Sequence, residues 1–304
     1  MDTKKIRKKI SYFLGWLALN TCSLVIKVIP ERGLYAFARG LASLGYIFAG
    51  KQRRIALESL SYAFGSQMSA KEREKIARDC FIFMAKSAVE LMFLMDKPQL
   101  LERRVSLEGE DNLKQALGKG CGVILVSAHF GNFPLLLGRL AKSGYKTAGI
   151  MRQMRDERVE KMFLDKRDKY GITTIYSQPR KTCVDTTIRF LRDNGIVFIP
   201  IDQNFGTAGV FVDFFGRKAA TATGPVVLAN RTGAAIIPCF IIRQANDTHK
   251  IIFEKPLDLV KAEKDEETIS VNIQKLTNII EAYIRRYPAE WGWIHRRWKS
   301  KPQA

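Results

Sequence analysis

The chain has 304 residues, with 50 Lys and Arg against 30 Asp and Glu, a formal net charge of +20, and 46% hydrophobic residues. That length accommodates one large domain or two small ones with a sizeable core, and the composition excludes a disordered, collagen-like or polytopic membrane chain. The charge calls for a polyanion, whether nucleic acid, anionic lipid or an acidic protein.

The N-terminus carries Lys4, Lys5, Arg7, Lys8 and Lys9, followed by an uncharged run of 17 residues from Ile10 to Ile26. It has the outline of a signal peptide but no convincing small-residue cleavage site, and more cations follow it, so the run is expected to stay attached. At about 1.5 Å per residue it reaches roughly 26 Å, short for a full span and sufficient for a tilted or half-inserted anchor helix; a buried core helix is the plainer alternative. Cations directly before it place that flank on the cytoplasmic side. Residues 1–54 hold eleven Lys and Arg against two acids, and residues 285–304 hold six against one. The two ends therefore carry +9 and +5, leaving only +6 for the 230 residues between them.

Residues 55–104 read as helices, with Ser69 and Glu72 forming a capping box ahead of an apolar-periodic run through Met95. From about Val105 the texture changes to short β-branched runs separated by helix-like segments. Residues 122–128, 146–151, 172–177, 195–201 and 234–242 are the expected strands, with 251–254 as a further one. This alternation predicts an α/β layered sheet with reactive loops at strand ends. The expected organisation is a basic, apolar segment over 1–54 and one catalytic domain over 55–304. Five cysteines, Cys22, Cys80, Cys121, Cys183 and Cys239, are spaced too widely for a metal motif or a disulfide scaffold and read as reduced core thiols. The three histidines, His129, His249 and His295, are equally scattered, so no metal site is expected.

His129 directly follows the buried strand 122–128 in Ser127-Ala128-His129-Phe130-Gly131-Asn132-Phe133, the place of a general base at a cleft mouth. A single histidine is as readily structural. Asp202 follows strand 195–201 in the same way, so both side chains are expected in one cleft; its plainer reading is a turn cap. The glycines and phenylalanines of 205–216 suit either loop geometry and core or an acyl-chain groove. The closing run from Tyr287 to Lys299 alternates indoles with cations, as a membrane interface selects and as base stacking also would. His249, beside Asn246 and Asp247, reads as a solvated turn residue.

His129-Phe-Gly-Asn-Phe133, Asp202-Gln203, residues 210–216, Ala220 to Gly224, Thr232-Gly233-Ala234 and residues 293–299 together resemble the lipid A biosynthesis acyltransferase family, within the lysophospholipid acyltransferase group. The likeness runs from about Arg53 to Lys299 in consistent order. It implies a glycerol-3-phosphate-acyltransferase-like α/β fold, with a mixed central sheet flanked by helices and an N-terminal membrane-anchor helix. It also implies an enzyme on the cytoplasmic face of the inner membrane that moves a fatty acyl chain from acyl carrier protein or acyl-coenzyme A to a hydroxyl of an anionic lipid, without a resident cofactor. By resemblance His129 is catalytic, with Asp202 its catalytic partner by its place at a strand end, and Gly131, Asn132, Arg152, Arg167, Gln203, Phe215 and Gly216 are expected to bind substrate. Backbone N–H groups after Gly131, or Arg152, are the expected oxyanion donors, and His295 is expected to be structural.

The family pattern places Asp or Glu after four intervening residues, where this chain has Pro134. Such a carboxylate would hold the imidazole's second nitrogen. Asp202 is the first substitute and Asp213 the second, while Asn132 offers an uncharged alternative. The same departure motivates a second reading, a relative that binds an acyl lipid without transferring it. A nucleic-acid binder has only the net charge in its favour. With neither a Gly-x-Ser-x-Gly elbow nor a partnered cysteine, direct transfer is expected rather than an acyl-enzyme.

Overall fold

The computed structural model describes residues 3–302. It opens with α1 (Thr3–Val28), α2 (Glu31–Phe48), α3 (Gly50–Phe64), α4 (Ala70–Leu94) and α5 (Pro98–Arg104). The remainder alternates: β1 (Val105–Glu108), α6 (Glu110–Leu117), β2 (Val123–Ser127), α7 (Phe133–Lys142), β3 (Thr147–Met151), α8 (Glu157–Lys169), β4 (Thr173–Tyr176), α9 (Arg180–Arg192) and β5 (Ile196–Pro200). A hairpin of β6 (Val210–Phe214) and β7 (Arg217–Thr221) follows, then α10 (Gly224–Thr232), β8 (Ala235–Arg243), β9 (His249–Phe253) and α11 (Asp265–Arg286).

Seven strands form one sheet in the order β1-β9-β8-β2-β5-β3-β4. The five from β8 to β4 are mutually parallel, and β9 turns back against β8 and pairs in parallel with β1. The α/β class and mixed sheet agree with the sequence reading, while β1 and the β6–β7 hairpin were not among the expected strands. Each central strand is buried on both faces, which is why it reads as a continuous apolar run. On one face Ile124, Val197 and Ala148 pack with α9, α10 and α11; on the other Leu125 and Phe198 pack with α7 and the C-terminal half of α4.

The expected capping box is present: Ser69 accepts the Glu72 N–H, and Glu72 accepts the Ser69 N–H. In α2, Leu34, Ala38, Ala42 and Tyr46 recur every four residues and are all buried, forming the stripe that faces α4. Helix α2 is thus part of the folded body, and residue 54, the expected segment boundary, falls inside α3. Helix α1 behaves differently. Lys9–Val28 is long and apolar enough to cross a membrane and only 6% buried, with Ile10, Phe13, Leu14, Leu17 and Leu24 exposed. Arg7 and Lys9 are exposed on it, whereas the side chains of Lys4, Lys5 and Lys8 lie outside the described residues.

Candidate active site

Strands β2 and β5 are parallel neighbours with Ser127 opposite Pro200. Residues two steps beyond each strand therefore emerge side by side on the same face of the sheet, and these are His129 and Asp202. The imidazole Nδ1 lies 2.8 Å from Asp202 Oδ1, and the indole N–H of Trp291 donates to Asp202 Oδ2 at 2.8 Å. Asp202 is buried, while the His129 side chain keeps 29% of its surface exposed. Burial pushes the Asp202 carboxyl up, but the His129 charge, the imidazole hydrogen bond and the Trp291 indole overcome this and hold it well below the ordinary carboxylate range. For His129, burial pushes the imidazole down, and the charge and hydrogen bond of Asp202 outweigh it, so the net shift is upward. An ionised carboxylate only accepts, so Nδ1 carries the proton and Nε2 presents its lone pair outward. Gln203 Nε2 sits 3.2 Å from that nitrogen.

A cavity of about 640 Å³ opens beside His129, within the range of small-molecule sites. Phe133, Pro134, Leu137, Ile150, Phe163, Ile172 and Phe198 give it apolar walls, and Arg152, Gln203 and Phe205 also line it. A second pocket of about 280 Å³ lies between α4 and the C-terminal segment, lined by Phe83, Met84, Ser87, Glu290, Ile294 and His295, and it too reaches His129. The imidazole is shared by both.

Residues 1–300 of the chain match a family model, that of the bacterial lipid A biosynthesis acyltransferases. The chain belongs to this family, and it is an acyltransferase. It is 28% identical to the lipid A biosynthesis palmitoleoyltransferase of Escherichia coli, over 96% of this chain and 92% of that protein. It is 25% identical to the lipid A biosynthesis lauroyltransferase of the same organism, over 96% and 93%. The phosphatidylinositol mannoside acyltransferase of Mycobacterium tuberculosis is 25% identical over 62% of this chain and 58% of its own.

Within this family member, the residues singled out from the sequence divide sharply. His129, Asp202 and Gln203 converge, and Arg152 is exposed on the cavity wall. Arg167 also lines the cavity, but it is committed to buried Glu160 at 3.2 Å, which in turn accepts the Met154 N–H. Asp213 pairs with Lys218 on the hairpin and does not approach the imidazole. Asn132 turns away from the ring: its amide donates to Ser87 O and to Glu90 Oε2. Gly131 is needed for its shape. At φ +61° a Cβ there would stand 1.9 Å from Ile241 O, and its N–H is spent on Glu290 O at 2.9 Å. That excludes this N–H as an oxyanion donor in this arrangement. Phe215 and Gly216 form the β6–β7 turn, where Phe215 packs with Phe64, Phe214 and Trp293 and neither residue lines the cavity.

Two further expectations are corrected. His249 is buried on β9, not solvated, and its Nε2 lies 3.0 Å from Glu90 Oε2. Glu90 gathers Tyr35, Asn132, Arg243 and His249 into one buried cluster. Burial pushes its carboxyl up, but the hydrogen bond and charge of His249, then those of Arg243, bring it down to about 2. The C-terminal indoles are not an interfacial belt: Trp291 and Trp293 are fully buried, and Trp298 stacks on Phe214. Arg297 is buried too, donating to Ala220 O, Thr221 Oγ1 and Gln203 O. This tail crosses the strand ends, with Phe130 bridged to Trp291, and delivers Glu290, Trp291 and His295 to the site. Sequence reasoning missed Glu290 and Trp291. The isolated acid in an aromatic run was the available signal.

Proposed function

We propose that the protein transfers a fatty acyl chain from an acyl thioester to a hydroxyl of a lipid A-type acceptor, with His129 as general base. Nε2 takes the hydroxyl proton, the oxygen attacks the thioester carbonyl, and the tetrahedral adduct collapses as the C–S bond breaks. The departing thiolate recovers the proton from the imidazolium. Asp202 holds the imidazole in the tautomer this requires and stabilises the imidazolium, and Trp291 fixes the second oxygen of Asp202. The acyl chain occupies the apolar cavity, and the acceptor reaches His129 from the second pocket. Proton transfer and a thiolate leaving group suffice for this step, so no resident cofactor is assigned. The donor is an acyl carrier protein or coenzyme A thioester, with exposed Arg152 available to its anionic part, and α1 holds the enzyme at the cytoplasmic face of the inner membrane.

The observation that carries this reading is a histidine–carboxylate pair at the mouth of an acyl-sized apolar cavity. Asp202 supplies the charge that Pro134 does not, which favours catalysis over the binding-only alternative. The test is transfer of a labelled acyl chain to a lipid extract, with products identified by mass spectrometry. His129→Ala should abolish transfer, and Asp202→Asn should lower it roughly 10³–10⁴-fold, each with the fold intact. Undiminished turnover in His129→Ala would overturn the assignment.

A further inference from the structure

Gln203 uses its amide unusually. Its nitrogen lies 3.2 Å from Nε2 of His129 and 3.4 Å from Nε2 of His295, and the two rings stand 5.4 Å apart. Asp202 fixes the tautomer of His129, so its Nε2 is an acceptor and the group facing it must be the NH₂ of the amide. The second amide hydrogen then goes to His295, which accepts it as a neutral ring with its proton on Nδ1. The two hydrogens of one amide thus occupy the lone pairs of two imidazoles.

The residue is held by its main chain and free at its side chain. Buried Arg297 donates to the Gln203 carbonyl at 3.3 Å, while the side chain is exposed and lines the large cavity. Rotating the amide away breaks only neutral hydrogen bonds and leaves the backbone where it was.

We propose that Gln203 is a removable cap on the base. It keeps water off His129 until the acceptor hydroxyl displaces it, and so sets how much acyl thioester is transferred rather than hydrolysed. The proposal rests on the reading of His129 as base. An uncapped Nε2 facing a solvated mouth would bind water. With a thioester beside it, that water loses a proton to His129, its oxygen bonds to the acyl carbon, the C–S bond breaks, and the thiolate takes the proton back. The products are a free fatty acid and a thiol. Water is small and hydrogen-bonds well, so an apolar wall alone does not reject it; an occupied lone pair does. An acceptor held by its acyl chains brings binding energy to displace the amide, and a lone water brings little.

The test uses the full-length enzyme in detergent with a labelled acyl thioester. Free fatty acid is measured without acceptor, and the ratio of transfer to hydrolysis is measured with lipid extract present. Gln203→Ala should raise hydrolysis relative to transfer roughly tenfold, the weight of one neutral hydrogen bond, and His129→Ala/Gln203→Ala should return hydrolysis to background. An unchanged ratio in Gln203→Ala would overturn the cap, as would extra hydrolysis that persists without His129. Full transfer by His129→Ala alone would instead overturn the base, so the two failures are distinguishable.

Discussion

Gly149 should set the length of the acyl chain. It lies in the wall of the large cavity, in register with Phe198 on β5, which is itself level with Leu125 on β2. His129 is four residues beyond Leu125, about 13 Å along the strand direction at roughly 3.3 Å per residue, and β3 is two strands away, about 10 Å across. The path from the base to Gly149 is therefore about 16 Å. An extended chain advances about 1.2 Å per bond, by analogy with the backbone's three bonds per residue, which gives about thirteen bonds. The enzyme should accordingly prefer acyl chains of about 12 to 14 carbons, on the same backbone scale. A Cβ on Gly149 would stand 3.0 Å from Met151 Cε and 3.2 Å from Leu137 Cδ1, both ends of flexible side chains that also line the cavity. Gly149→Val is thus tolerable in the strand, and its branches remove about two bonds of depth. Two methylenes denied burial cost about 1.6 kcal/mol, a shift of about 15-fold against the longest accepted donors relative to those two carbons shorter. The assay is a competition among acyl thioesters of graded length, with products resolved by mass spectrometry. A loss of rate equal at every length would refute the placement of Gly149 at the end of the chain.

Three other outcomes follow from the buried ionisable groups. Because the net effect on His129 is upward, the neutral base is available only above the ordinary imidazole value. The acid limb of kcat/KM should lie above pH 6.5, and Asp202→Asn should move it down; a limb below 6.5 in the native enzyme would contradict the pairing. Burial raises the Glu290 carboxyl to about 7, against partial compensation from the Arg243 N–H. Its protonated form is therefore favoured in the fold, and stability should fall between about pH 4.5 and 7 by about 3 kcal/mol and then level off. Glu290→Gln, which retains an acceptor for the Arg243 N–H, should flatten that part of a melting-temperature profile. Glu90→Ala should cost about 3 kcal/mol in denaturant unfolding, since it leaves buried Arg243 with Asp247 as its remaining carboxylate and takes one partner from each of Tyr35, Asn132 and His249.

The approach of His129 and Asp202 was legible because it depends only on strand geometry: two buried runs, parallel neighbours, with a polar residue at the same step beyond each. The central strands β2, β5 and β8 were legible because burial on both faces leaves a continuous apolar run, whereas β1, a half-exposed edge strand, was not. The β6–β7 hairpin was not, because its mixed runs Val210–Phe214 and Arg217–Thr221 owe their pairing to the turn at Phe215–Gly216 and to packing against α11. His249 was misread because its neighbours Asn246 and Asp247 do form a turn. Only the arrival of Glu90, 159 residues away in sequence, makes the histidine a buried partner. The C-terminal tail was misread on composition. Indoles alternating with arginines describe an interface equally well as a buried strap in which one guanidinium donates to two carbonyl oxygens and a hydroxyl.

Pro134 shows how far a single departure from a motif can be interpreted. In the family pattern its position carries the carboxylate, and its loss on sequence alone raises the question whether His129 has a partner. The fold answers with a residue 73 positions from His129, held by an indole from a third segment. Pro134 then serves a different purpose: at the start of α7, where a missing N–H costs nothing, it lines both the acyl-sized cavity and the second pocket. A carboxylate there would face two apolar pockets and share the imidazole with Asp202. Proline leaves one carboxylate on Nδ1 and adds apolar surface to both pockets beside His129.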